Sequence, residues 1–264
     1  MAEKVKELKE ILSHVAENGP ILTPNTALMA AAVSGSVQGV KEALKAGADI
    51  EYDLLDSTGT ALYTASYNGH ADVVRLLLRK GASVAKRCGP YAPLHEAASY
   101  GWTEVVELLV NHGATLDVQD DFHDTPLIRA CVYKQVDTVR RLIELGARVD
   151  LIADYGEVAQ RFYPYGMKED RRWEECMKLI EEARETRLLR CCNPKCGKPG
   201  YRSTLKLCGR CKMTRYCNRD CQKQHWSVGH KKCCGQDTYS EDPIAYREMV
   251  YSLVDVLDQY LDKA

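Results

Sequence analysis

No stretch of this 264-residue chain approaches the roughly 20 uninterrupted apolar residues that a membrane-crossing helix needs, and mean hydropathy is −0.36. No span of a bilayer is expected. The first ten residues alternate Lys and Glu where a signal peptide carries an apolar core, so the chain is not expected on the secretory route. Also missing are a Gly-rich cofactor loop, a nucleophile motif and a defensible pair of catalytic carboxylates, and the expectation is a protein that is not an enzyme. The aromatic set is lopsided, with 2 Phe and 3 Trp beside 15 Tyr. Composition excludes disorder throughout: 45% of residues are hydrophobic and 28% charged, which suits folded structure.

The near absence of net charge (−1) conceals a segregation. Residues 1–190 carry a net −6, residues 191–234 a net +10 and residues 235–264 a net −5. The cysteines are segregated in the same way. Cys88, Cys131 and Cys176 are scattered, whereas the other nine of the 12 fall between Cys191 and Cys234. Without an oxidising compartment such a cluster points to metal rather than to disulfides. Cytoplasm and/or nucleus is the expected location.

An internal period organises the first half. Gly-Ala pairs recur at Gly47-Ala48, Gly81-Ala82, Gly113-Ala114 and Gly146-Ala147, and each follows an aliphatic helical stripe such as Val105/Val106/Leu108/Leu109. In step with them run Thr26-Ala27-Leu28, Thr60-Ala61-Leu62, Ala92-Pro93-Leu94 and Thr125-Pro126-Leu127, each followed by small residues. Each unit reads as helix, turn, helix, loop. The first helix opens at these landmarks, with Pro93 and Pro126 in its first turn where a missing N–H costs nothing. Gly35, Gly69 and Gly101 end it in a position that tolerates positive φ. Lys134 occupies that position in the fourth unit, which leaves its turn geometry open.

This pattern resembles the ankyrin repeat, nearly intact at Thr60 to Ala82 and at Ala92 to Ala114. The resemblance implies a mainly α fold: an ankyrin-repeat α-solenoid of four repeats over 23–150. Residues 1–22, with Val5, Leu8, Ile11, Leu12 and Val15 at helical spacing, form the N-terminal capping helix. Residues 151–186, with Trp173, Cys176, Leu179 and Ile180 in a helical stripe, form a degenerate fifth repeat that caps the other end. By the same resemblance the inner helices and loop tips bind a protein partner. Ser34, Tyr67, Asn68, Ser99, Tyr100, Trp102, Val132 and Tyr133 should line that surface, with Tyr67, Tyr100, Trp102 and Tyr133 as anchors, since such rings bury large area with few rotamers to freeze.

The cysteine-rich segment runs Cys191-Cys192-Asn193-Pro194-Lys195-Cys196, then Cys208-x2-Cys211, Cys217-x3-Cys221, His230 and Cys233-Cys234. Thiolates in such short loops present two ligands to one tetrahedral zinc, and eight ligands make two closed sites with no place for a catalytic water. The doubled cysteines leave Cys192 as an alternative to Cys191, and Cys233 as an alternative to Cys234. The segment looks like a MYND-type zinc finger over 191–234, with Tyr216, Gln222 and Trp226 also in the pattern. That resemblance implies interleaved pairing: Cys191, Cys196, Cys217 and Cys221 on one structural zinc, Cys208, Cys211, His230 and Cys234 on the other. It also implies that Gln222 and Trp226, four apart on a helix starting near Asn218, grip short proline-containing peptides. His225 fits the ligand spacing poorly and is expected at the surface. Residues 239–264 read as a C-terminal amphipathic helix.

The leading expectation is a non-enzymatic, monomeric adaptor or scaffold, with protein partners at the concave face and at the finger. The alternative is a zinc-dependent nucleic-acid-binding or transcriptional regulator using the basic finger, since basic patches with aromatics attract phosphates.

Overall fold

The computed structural model describes residues 23–53, 59–152, 171–186, 188–193, 195–196, 198–201, 205–208 and 214–227. The N-terminal cap over 1–22, the C-terminal helix over 239–264, and Cys211, His230, Cys233 and Cys234 lie outside the described residues, as do 153–170 of the fifth unit.

Eight helices form four antiparallel pairs: α1 (Pro24–Ser34) with α2 (Val37–Lys45), α3 (Ala61–Tyr67) with α4 (Ala71–Arg79), α5 (Pro93–Ser99) with α6 (Thr103–Asn111), and α7 (Pro126–Val132) with α8 (Val136–Leu145). The odd-numbered helices stack on one another as an inner layer and the even-numbered ones as an outer layer. Their shared core is a ladder of equivalent residues. Leu28, Leu62, Leu94 and Leu127 are buried on the inner side, and Val40, Val74, Val106 and Val139 on the outer side. Alanines at 32, 65, 98 and 130, all buried, let the inner helices approach closely.

Thr60 and Thr125 cap their helices as the repeat pattern requires, accepting the N–H of Tyr63 (3.4 Å) and Ile128 (3.3 Å). Ala92 has no side-chain oxygen, and its N–H donates instead to His95 Nδ1 at 3.1 Å. The first unit departs from its expected opening at Thr26. Helix α1 begins at Pro24, with Thr23 as the cap accepting the Thr26 N–H at 3.1 Å. Thr23-Pro24 supplies both a capping hydroxyl and a first-turn proline three residues earlier, so α1 runs to 11 residues where the other inner helices have 7.

The turn within each pair shows how neighbouring repeats grip one another. His70, Trp102 and Gln135, each eight residues beyond the ladder leucine, reach back to the preceding repeat. They hydrogen-bond to the carbonyls of Val33 (2.8 Å), Tyr67 (2.9 Å) and Ser99 (3.1 Å). Each lies over the preceding helix-ending glycine so closely that a Cβ at Gly35, Gly69 or Gly101 would stand 2.5–2.7 Å from it, and all three glycines have positive φ. Lys134 adopts the same left-handed conformation at φ 58°, so the fourth turn keeps its geometry without glycine, at a strain of about 1 kcal/mol.

The array ends in a 3₁₀ turn, Val149–Leu151, and α9 (Arg171–Thr186), which packs on α8, α7 and that turn. Trp173, Cys176 and Ile180 face inward from α9, and its charges lie on the exposed side. One residue later β1 (Leu188–Arg190) pairs antiparallel with β2 (Pro199–Tyr201), so ordered structure precedes Cys191. A second ribbon joins β3 (Lys206–Leu207) to β4 (Arg215–Tyr216), followed by α10 (Arg219–His225).

Candidate metal centre and interaction surface

The metal centre is assembled from both ribbons and the helix. Cys191 follows β1, Cys196 lies in the turn towards β2, Cys217 follows β4 and Cys221 sits in the first turn of α10. Their sulfurs all lie within 4.8 Å of one another. Cys217 Sγ stands 3.7 Å from Cys196 Sγ and 3.4 Å from Cys221 Sγ. A tetrahedral zinc with Zn–S of about 2.3 Å requires sulfurs about 3.8 Å apart. Burial pushes the thiols of Cys191 and Cys221 up, while the backbone N–H of Lys198 draws that of Cys196 down. Four thiolates crowded together need a cation between them, and a divalent ion supplies it. This donor set fits zinc, which these four residues would hold as a closed structural site.

The first two cysteines point in different directions. Cys191 joins the cluster, whereas Cys192 Sγ accepts the backbone N–H of Arg215 at 3.3 Å and its own N–H donates to the Arg215 carbonyl at 2.8 Å. Cys208 is buried at the end of β3, apart from this set, and the other three residues expected to share its zinc are outside the described residues.

Two supports of the centre differ from expectation or were missed by it. His225, expected at the surface, is 1% exposed, with Nδ1 2.9 Å from the Tyr216 hydroxyl. The finger has too little apolar residue content to fill its centre, so the α10 histidine and the β4 tyrosine close it together. Asn193 was not singled out, although it sits inside the first ligand loop. Fully buried, it accepts the Lys195 N–H through Oδ1 (3.2 Å) and donates to Gln224 Oε1 (2.8 Å), fastening the loop to α10. Asn218 caps α10, accepting the Cys221 N–H at 2.8 Å, as the expected helix start requires. Gln222 and Trp226 are half-buried a turn apart, and Trp226 packs on the finger's core.

On the array, the large apolar side chains most open to solvent among the described residues are Val33, Tyr67, Tyr100, Trp102 and Tyr133, at 40–57% exposure. All lie at the C-terminal ends of the inner helices or in the turn that follows. Tyr67 and Tyr100 meet edge to face with centroids 4.7 Å apart, their hydroxyls 3.1 Å from one another. Trp102 is at the same time a clamp, since its N–H is taken by Tyr67 and its ring covers Gly69. Ser99 and Val132, expected to line the surface, turn inward and are buried. Val33 was missed, although it occupies the same repeat position as Tyr67.

Below this surface lies charge that the repeat pattern did not reveal. Arg129, 6% exposed, stands over the rings of Tyr91 (4.6 Å) and Tyr133 (5.1 Å) and donates to Ser99 Oγ at 3.2 Å. Glu96, equally buried, accepts the Tyr63 hydroxyl at 2.9 Å; burial pushes its carboxyl up, and that hydrogen bond and Arg129 oppose the push. Tyr133 is thereby held from below by a cation.

The family model for ankyrin repeats, in three copies, matches residues 2–88 and 85–153. The chain belongs to the ankyrin-repeat family. The family model for the MYND finger matches residues 191–234. Among curated relatives, the ankyrin-repeat chain is 42% identical over 59 residues to ankyrin repeat and SOCS box protein 11 of Homo sapiens, covering 22% of this chain and 18% of that one. It is 30% identical over 165 residues to ankyrin repeat protein nuc-2 of Neurospora crassa, covering 61% and 15%. It is 34% identical over 98 residues to glycerophosphocholine phosphodiesterase GDE1 of Candida albicans, covering 36% and 8%. The chain therefore spans less than a fifth of the length of these relatives. Ankyrin repeats and MYND fingers are non-catalytic interaction modules, so the architecture is one for protein–protein interaction. Among the described residues no helix is long and apolar enough to cross a membrane.

Proposed function

We propose that this chain is a monomeric, non-enzymatic adaptor of the cytoplasm and/or nucleus. The concave face of its array binds one protein partner, and its finger binds short proline-containing peptides. The observation that carries the reading is the gathering of the most exposed large apolar side chains on one face, where Tyr67, Tyr100 and Tyr133 are already held in place by each other or by Arg129. Pre-positioned aromatic anchors lower the ordering cost of binding. Trp102 contributes its open edge.

In the finger we assign two structural zinc ions. Cys191, Cys196, Cys217 and Cys221 hold the first, a reading supported by their spacing and geometry. Cys208, Cys211, His230 and Cys234 hold the second, a reading supported by their spacing in sequence. Gln222 on α10 and Trp226 at its C-terminal end, both half-buried, offer the face for a proline-containing peptide.

The second reading, nucleic-acid binding, is favoured by the net +10 of residues 191–234. Titration with a proline-rich peptide library and with short oligonucleotides at two salt concentrations separates the two. Peptide capture that depends weakly on salt and is lost in Trp226→Ala, with zinc content unchanged, is the expected result. Tight oligonucleotide binding that falls steeply with salt, without a peptide ligand, would replace it. For the array, capture of a protein partner by the full chain, weakened by Tyr133→Ala, is expected; capture insensitive to changes at Tyr67, Tyr100 and Tyr133 alike removes the concave-face assignment.

A further inference from the structure

The loops that follow the outer helices are equivalent in the repeat and unequal in burial. Gly47 and Asp49 in the first repeat, and Gly81 and Lys86 in the second, are exposed. In the third repeat the whole run Gly113–Val118 is buried, with Thr115, Leu116, Asp117 and Val118 each no more than 3% exposed. Matched by position, Val118 stands where Lys86 is exposed, and Asp117 where Ala85 is half-buried. Gly146-Ala147, ending the fourth outer helix, is buried as well. The second loop also has a following repeat against it, so stacking alone does not account for the extra cover on the third.

Three observations point to the finger as that cover. One residue separates α9, packed on the fourth repeat, from β1, so the finger begins beside the last repeats. On the finger's side Thr214 and Arg215, at β4, are 1% and 7% exposed. The charges of the two modules also act on each other. Arg148 and, more weakly, Arg215 oppose the burial that pushes the Asp117 carboxyl up to about 7. Asp117 takes the Arg148 N–H at 2.7 Å with Oδ1, while its buried Oδ2 has no hydrogen-bond partner, so a nearby cation is the compensation left to it. The overall charges are complementary too, net +10 for residues 191–234 against net −6 for residues 1–190.

We propose that the finger is the outer cap of the ankyrin array: its β4 face, led by Arg215, docks on the loop Gly113–Val118 and beside Arg148, so that zinc held in the finger stabilises the last two repeats. A terminal repeat needs a covering element with a polar outer side, and the basic finger meets that need. Zinc binding then strengthens the array by linkage. The docking leaves the concave face open, since Tyr100 and Tyr133 of the same two repeats remain 44% and 48% exposed.

The proposal rests on zinc being held in the finger, which native mass spectrometry of the starting full-length protein checks separately. The test is hydrogen exchange read by mass spectrometry before and after a chelator strips the zinc, with the second loop as an internal control. Both loops hold matching amide bonds, Gly113 to Val110 and Ala114 to Leu109 in one, Gly81 to Leu78 and Ala82 to Leu77 in the other. Removing zinc is expected to speed exchange at 113–118 by about tenfold or more and at 81–86 by less than about twofold. Equal change at the two loops, or none at either, overturns the proposal. Val118→Lys places the second repeat's own residue at the covered position and is expected to speed exchange at 113–118 with zinc still bound. Exchange as slow as in the wild type would overturn the docking. A starting protein without zinc overturns the metal reading and this one together.

Discussion

The ankyrin array and the finger reach a buried interior by opposite means. The array repeats one solution: leucine, valine and alanine at fixed positions meet their counterparts in the next repeat, and His70, Trp102 and Gln135 tie each unit to the one before. Among the described residues the finger buries Cys191, Cys192, Cys208, Tyr216 and Cys221, with Leu205, Asn193, Thr214, Arg215 and His225. Apolar area drives the array together. The finger buries sulfur and polar groups, which cost free energy to bury until a metal and hydrogen bonds satisfy them. Stability in the array is therefore spread over many small contributions, and in the finger it is concentrated on a few ligands.

The largest effect that would test this contrast is removal of zinc. Structural zinc contributes roughly 10 kcal/mol or more of apparent free energy to a small finger, so Cys191→Ser is expected to unfold the finger while the first two repeats keep their helical circular dichroism. Loss of the whole helical signal at once would show the array and finger to be a single cooperative unit. Next in size is Leu62→Ala, which empties a fully buried ladder position. It should cost about 2–5 kcal/mol by denaturant midpoint with zinc content unchanged; a cost below about 1 kcal/mol would mean the ladder can collapse around the gap.

A third prediction uses acid. His95 is fully buried, with Nε2 3.1 Å from the Val118 carbonyl and 3.2 Å from that of Asp124, and burial, aided by Arg87 and Arg129, holds its pKa down to about 3. Because the folded value lies below the unfolded value near 6.5, the stability from this neutral ring is complete above about pH 6.5. It is lost as pH falls towards 3. Buried Glu96 and Asp117 titrate in the opposite sense, so the clean measure is a difference between proteins. The stability gap between wild type and His95→Asn should shrink by about 1.4 kcal/mol per pH unit below 6.5. A gap that is constant from pH 7 to 4.5 would refute the neutral buried ring.

Smaller effects sharpen the picture at the surface. Tyr67→Ala, Tyr100→Ala and Tyr133→Ala should each weaken a protein partner by about 1–3 kcal/mol where the residue is a hot spot, with little change in melting temperature. Trp102→Ala should lower the melting temperature as well, because it removes the clamp on Gly69 and Tyr67. Equal thermal shifts in all four would assign the tyrosines to packing. The smallest expected effect is a gain. Lys134→Gly relieves a left-handed lysine and should stabilise the fourth repeat by about 1 kcal/mol or less, read from the denaturant midpoint.

The repeat and the finger were legible because their signals recur or combine. Ladder leucines, glycines and Gly-Ala pairs return at fixed spacing, and thiolate pairs in short loops have few other physical uses. What remained hidden was local. Thr26 fits the repeat landmark, yet Thr23-Pro24 three residues earlier outcompetes it as a helix start. Ser99 and Val132 end their helices where exposed Tyr67 ends its own, but they are smaller, and Ser99 is covered by Arg129 and Gln135 of the next repeat. His225 stands among mostly polar residues in sequence, and only the approach of Tyr216 from β4 makes it part of the core.

Sequence alone determined the period of the array, the positions of its core and the ligand types of the finger, because each follows from spacing along the chain and from the chemistry of single residues. The tertiary structure decided which of two adjacent cysteines turns to the cluster, that Trp102 binds its own neighbour as well as offering an edge, and that charge lies buried beneath Tyr133. It also decided that Gly113–Val118 is covered while its sequence equivalent is open. These depend on the direction of a side chain and on what a distant segment brings against it, and neither is fixed until the repeats have stacked.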